Sequence, residues 1–86
     1  MKYVEPHAFA DPAAAAAKIL EIANTIEADR NGRISVGKIN SVFIALGGSA
    51  DDYRSGLRLA IDGGYLEIHR SGSYVKFTQK GADKFA

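Results

Sequence analysis

Arg54 and Arg58 stand four residues apart, so on a helix their guanidinium forks project one turn apart from a single face. Such forks suit paired hydrogen bonds to a guanine edge or to phosphate oxygens. Ser55 sets a hydroxyl beside them, and Lys38, Arg70 and Lys76 add cations that can reach backbone phosphates or a minor groove. Both arginines also have local acidic partners in reach. Asp51 lies three residues before Arg54 and Asp62 four after Arg58, spacings at which helical side chains pair, so the duplex reading and the local-pair reading both stand.

The remaining reactive residue types gather into nothing catalytic. Glu67 and His69 alternate along a short strand with no enclosure to tune a proton transfer, so an enzyme is not expected. Asp51-Asp52 fits the favourable field at a helix N-terminus better than a metal, which needs more carboxylates. The chain has no cysteine, and only His7 and His69 carry imidazole, so neither a metal site nor a disulfide is expected. Gly47-Gly48 and Gly63-Gly64 lack the spacing of a phosphate-cradling loop and read as helix stops; no cofactor is implied.

Three helices and a hairpin must position the basic residues. Asp11-Pro12 starts the first helix, since the carboxylate can accept orphan amide protons and proline loses nothing at the first helical position. Its alanines favour helix, Ile19, Ile22, Ala23 and Ile26 form a buried stripe, and the helix is expected to reach about Ala28. The smooth run from Ala13 to Ala17 fits a close helix contact within the fold better than a seam between copies.

After a turn at Asp29-Arg30-Asn31-Gly32, Arg33-Ile34-Ser35 makes a short strand that pairs with the hairpin, and Ser35 caps a second helix. Val36, Ile39, Phe43 and Leu46 are its apolar stripe, with Lys38, Asn40 and Ser41 off it. Ser49 to Asp52 reads as a capping box opening a third helix from Ala50 to Asp62, whose core face is Tyr53, Leu57, Ala60 and Ile61. Leu66-Glu67-Ile68 and Tyr74-Val75-Lys76-Phe77 alternate as strands around an Arg70-Ser71-Gly72-Ser73 turn, with Leu66, Ile68, Val75 and Phe77 inward. A closing helical turn follows, anchored by Phe85.

Eighty-six residues, 47% hydrophobic and 24% charged, make one globular domain rather than a disordered chain. Residues 1 to 10 read as an N-terminal arm, with Tyr3, Val4 or Phe9 packing on the body, and 11 to 86 as the domain. Charge is divided unevenly. Residues 1 to 29 carry two lysines against five carboxylates, a balance of −3, whereas residues 30 to 80 carry eight cations against four carboxylates, a balance of +4. No apolar run is long enough for a bilayer, and Glu5 and Pro6 stand where a signal peptide has basic residues, so no membrane and a cytoplasmic location are expected.

The succession Leu57 to Ala60, Gly63-Gly64-Tyr65-Leu66 and Tyr74-Val75-Lys76-Phe77-Thr78-Gln79-Lys80-Gly81 resembles bacterial winged helix-turn-helix transcription regulators over about residues 33 to 85. The resemblance implies an α+β fold of three helices, a short β-hairpin wing and a C-terminal helical turn. It implies a recognition helix at Ala50 to Asp62, a wing at His69 to Tyr74, and a regulator-like protein that binds double-stranded DNA. Asp51 and Asp52 depart from that pattern, because carboxylates at the start of a recognition helix repel phosphates. They favour the alternative, a winged-helix adaptor that holds another protein, for which Tyr53, Leu59, Tyr65 and Tyr74 are candidate contacts. With no long dimerisation helix in these 86 residues, a homodimer is expected to use the first helix and the arm.

Overall fold

The computed structural model describes residues 9–86, so the expected packing of Tyr3 and Val4 and the histidine at position 7 lie outside the described residues. Phe9 does pack on the body. Its ring centroid lies 4.9 Å from that of Phe43.

Helix α1 spans Pro12–Thr25, with Asp11 Oδ1 accepting the Ala13 amide proton at 3.1 Å and Pro12 at the first position. It stops three residues short of the expected Ala28. The Thr25 hydroxyl donates to the Ile22 carbonyl at 2.7 Å, and Ile26 goes extended with its amide on the Ala23 carbonyl. Ala15, Ala16, Ile19, Leu20, Ile22 and Ala23 are buried, so the inner face includes Leu20, while Ile26 is half-buried.

Strand β1, Ile34–Ser35, leads directly into α2, Val36–Ala45, where Ser35 Oγ accepts from the Lys38 amide at 3.2 Å. Ile39 and Phe43 are fully enclosed, but Leu46 is 53% exposed and does not continue their stripe. The helix has ended at Ala45, and Gly47, at φ +99°, folds the chain so that Gly48 rather than Leu46 closes over the Phe43 ring. No Cβ fits at Gly48.

Helix α3 runs from Ala50 to Asp62 behind a complete capping box: Ser49 Oγ accepts from the Asp52 amide, and the Asp52 carboxylate accepts from the Ser49 amide. Its closest neighbour is α1. A Cβ on Gly56 would meet Ala15 Cβ at 2.7 Å and the Ala15 carbonyl carbon at 2.9 Å, so the short side chains of the alanine run let the two backbones approach. Tyr53 and Ala60 are buried, whereas Leu57 and Ile61 are only half-buried at the flank of the core.

Strands β2, Leu66–Ile68, and β3, Tyr74–Phe77, form the hairpin, and the sheet is antiparallel in the order β1-β3-β2, with Ile34 opposite Val75 and Leu66 opposite Phe77. Leu66 and Val75 reach the core. Ile68, expected inward with them, is largely exposed at the far end of β2.

A short α4, Gln79–Asp83, ties the hairpin base to the end of α3. Thr78 Oγ1 accepts from the Gly81 amide and donates to the Gly64 carbonyl, while Lys80 Nζ donates to the Gly63 carbonyl at 2.7 Å and lies over the Tyr65 ring. A cation on those carbonyls also complements the negative end of α3. Phe85 packs edge-on to Phe77, centroids 5.8 Å apart. The described residues thus form a mixed α+β unit of four helices and one three-stranded antiparallel sheet.

Tyr53 links α3 to α2, its hydroxyl donating to the Val36 carbonyl at 2.9 Å. Burial pushes its phenol up from 10.0 to about 12. A tyrosine of the unfolded chain ionises from about pH 10 while the folded Tyr53 keeps its proton, so the unfolded state gains as pH rises from 10 to 12. Stability is expected to fall by roughly 2 kcal/mol over that range. Urea unfolding at each pH measures it, and Tyr53→Phe should remove this part of the alkaline loss.

Candidate nucleic-acid interface

Every cation singled out in the sequence is on the surface, and the elements present them differently. On α3, Arg54 Nη1 lies 2.9 Å from Asp51 Oδ1, and Arg58 Nε lies 3.6 Å from Asp62 Oδ2. The local pairs that the spacing allowed are therefore formed. Their arginine side chains are 76% and 81% exposed, and pairs so hydrated contribute only about 0 to 1 kcal/mol, so an incoming phosphate or base edge can replace the carboxylates. Ser55 is exposed beside them. Asp51 and Asp52 have structural work at the start of the helix, one against Arg54 and the other in the capping box.

Arg70 sits at the hairpin tip on a turn braced by its own polar groups. His69 Nδ1 accepts from the Ser71 amide at 3.1 Å and lies 2.9 Å from Ser71 Oγ, which in turn accepts from the Ser73 amide. Gly72 takes φ +78°, and its amide donates to the His69 carbonyl. The imidazole thus braces the turn, a role its place in the sequence did not signal. Lys76 is exposed on β3 opposite Glu67, with its stem passing over Gly32, and Lys38 is exposed on the first turn of α2. No ion pair involves Lys38, Arg70 or Lys76 among the described residues.

Two concavities show which of these residues come together. The first, about 530 Å³, runs along α3 between Asn40 of α2 and the side chains of Arg54, Leu57, Arg58 and Ile61. The second, about 600 Å³, lies against the hairpin and is bordered by Ile61, Ile68, His69 and Lys76. Ile61 lines both, so the arginine edge of α3 and the Lys76 side of the hairpin adjoin. Lys38 and Arg70 border neither concavity. Glu67 also lines the second, but His69 Nδ1 is bound to Ser71 and not to that carboxylate.

Of the candidate apolar contacts, Tyr53 is buried and bonded to Val36, so it offers no docking surface, and Tyr65 is half-covered by Lys80 and Lys84. Leu59 and Tyr74 are exposed, with Arg33 stacked on Tyr74 at 5.1 Å. Val42 and Ile44 on α2 and Leu46 just after it are exposed as well, which the helical period alone did not indicate for Leu46. Among the described residues no three His, Cys, Asp or Glu side chains gather where a metal ion could be held, and no helix is long and apolar enough to cross a membrane. No protein-family model matches the chain, and neither a curated protein nor a solved structure does.

Proposed function

We propose that the chain is a non-enzymatic winged helix-turn-helix protein that binds double-stranded DNA, with α3 entering the major groove and the β2–β3 hairpin serving as the wing. The observation that carries this reading is the pair of exposed arginines one turn apart on α3, on an edge that Ile61 joins to the Lys76 side of the hairpin. On a duplex, Arg54 and Arg58 exchange Asp51 and Asp62 for guanine O6 and N7 or for phosphate oxygens. Arg70 and Lys38 meet the backbone on either side. Two copies joined through residues 1 to 10 and the exposed Ala13 and Ala17 side of α1 would set two such helices on paired half-sites.

Fluorescence anisotropy on mixed-sequence duplexes across a salt series tests the reading. Affinity is expected to drop steeply with salt, and Arg70→Ala should weaken binding to all sequences while lowering the salt slope by about one. Arg58→Ala should instead erode sequence preference by about 1 to 3 kcal/mol. Asp51→Asn should tighten binding, since it removes a negative charge beside the phosphates. Absence of binding at low salt defeats the proposal. The second reading, a protein-binding adaptor, is favoured by the exposed Val42 and Ile44 on α2 and Leu46 just after it, and gains if Asp51→Asn leaves DNA affinity unchanged but abolishes capture of a protein.

A further inference from the structure

We infer that Arg33, which stands outside both α3 and the hairpin, is a phosphate-contacting residue of the DNA interface, a guanidinium fork that the fold holds ready against the wing. This contact presupposes the DNA reading and extends that interface from the hairpin to the start of β1.

Arg33 differs from the arginines of α3 in how it is held. Its Nε donates to Asp29 Oδ2 at 3.0 Å, and its guanidinium carbon lies 5.1 Å from the centre of the Tyr74 ring, so two distant parts of the chain fix one side chain. That side chain is 33% exposed, against 76% for Arg54 and 81% for Arg58. The anchor is itself braced. Asp29 Oδ1 accepts from the Asn31 amide at 2.8 Å and from the Arg33 amide at 2.9 Å, while the Asp29 amide donates to the Arg33 carbonyl at 3.0 Å. These bonds, that from the Arg33 amide foremost, hold the Asp29 carboxyl below its ordinary range.

Asp29 occupies one edge of the guanidinium and no more. The two terminal nitrogens of Arg33 have no hydrogen-bond partner among the described residues, so the end of the fork that bonds phosphate oxygens in pairs is open. Ordering a long side chain at an interface has an entropic cost, and here the turn and the ring have ordered it before any ligand arrives. Tyr74 belongs to β3, so the fork rides on the hairpin that serves as the wing. Lys76 lies on the same face of β3 and falls opposite Arg33, one step beyond the pairing of Ile34 with Val75. Since Lys76 also lines the concavity that adjoins α3, Arg33 carries the same basic edge onto the next strand. Glu67 faces Lys76 from β2 and forms no ion pair with either cation among the described residues.

Fluorescence anisotropy of the whole chain on a mixed-sequence duplex, repeated across a salt series, separates phosphate contact from structural support. Arg33→Gln should weaken binding about tenfold at moderate salt and lower the salt slope by about one, because one phosphate is no longer neutralised. Arg33→Lys keeps the charge and loses the fork, whereas Tyr74→Leu keeps the fork and frees it. Both should weaken binding by about threefold and leave the slope near its original value. Circular dichroism shows that each variant is folded, and should Arg33→Gln not fold, the other two carry the test. Binding by Arg33→Gln with unaltered affinity and slope overturns the contact and leaves the DNA reading in place. A loss of affinity without a change of slope overturns it too, since that marks a purely structural arginine. If Arg33→Lys and Tyr74→Leu bind as tightly as the unaltered chain, the held fork is refuted. Absence of duplex binding by the unaltered chain at low salt defeats the DNA reading and the Arg33 contact together.

Discussion

Phe43→Ala is expected to destabilise the domain by about 3 to 5 kcal/mol, because it empties the centre of the core rather than trimming its edge. The ring is wholly enclosed and is touched from three separate segments. Phe9 stacks on it at 4.9 Å, Tyr53 of α3 at 5.6 Å, and the Gly48 backbone closes over its edge. None of these neighbours collapses readily into the void, since Tyr53 is held by its bond to Val36 and Gly48 by the turn that starts α3. A domain of this size has a total stability on the order of 4 to 13 kcal/mol, so the variant should lose from about a quarter to nearly all of it. Urea denaturation followed by circular dichroism measures the loss, and a cost under about 1 kcal/mol would show that the ring is not the keystone described.

The second large effect concerns a residue with no side chain. Gly56→Val should cost about 3 kcal/mol or more, although leaving glycine in mid-helix by itself favours helix. The opposing term is steric. Even a methyl at this position meets Ala15 Cβ at 2.7 Å, the Ala15 carbonyl carbon at 2.9 Å and Ile19 Cδ1 at 2.9 Å, and backbone cannot swing aside as a flexible side chain can. Accommodating valine forces α1 away from α3 and opens the largest helix contact of the fold. Thermal unfolding of Gly56→Ala and Gly56→Val gives the test: destabilisation must grow with side-chain volume, and a stabilised Gly56→Ala would mean that the helices have room to spare.

Local signals made much of this architecture readable from the chain. Ser49 and Asp52 fix the start of α3 because both halves of a capping box lie within four residues, and the short strand at Ile34 and Ser35 follows from the turn before it and the helix cap after it. Leu46 misled because helical period continues in a sequence after the helix itself has stopped; the stop depends on Gly47 taking a positive φ and Gly48 reaching Phe43. The end of α1 was misjudged for a similar reason, as Ile26 continues the apolar period but is already extended. At the site, the spacing of Arg54 and Arg58 from Asp51 and Asp62 announced both a partner and a use, and the helix formed the partners. The concavity along α3 was not legible. Whether Leu57 and Ile61 are covered depends on how α2 crosses α3.

The position of β3 between β1 and β2 also sets an order of events. The hairpin closes across a loop of a few residues, whereas Ile34 meets Val75 only after about forty intervening residues have been brought home, a closure whose entropic cost must be met before the pairing repays it. The intervening stretch is α2, α3 and β2, which have local caps and turns of their own. On contact separation alone the hairpin is expected to close before β1 pairs with β3, and the contact of Ala15 with Gly56 spans a similar length of chain. The shortest strand, β1, thus depends for its ladder on the same long-range closure that brings α1 onto α3.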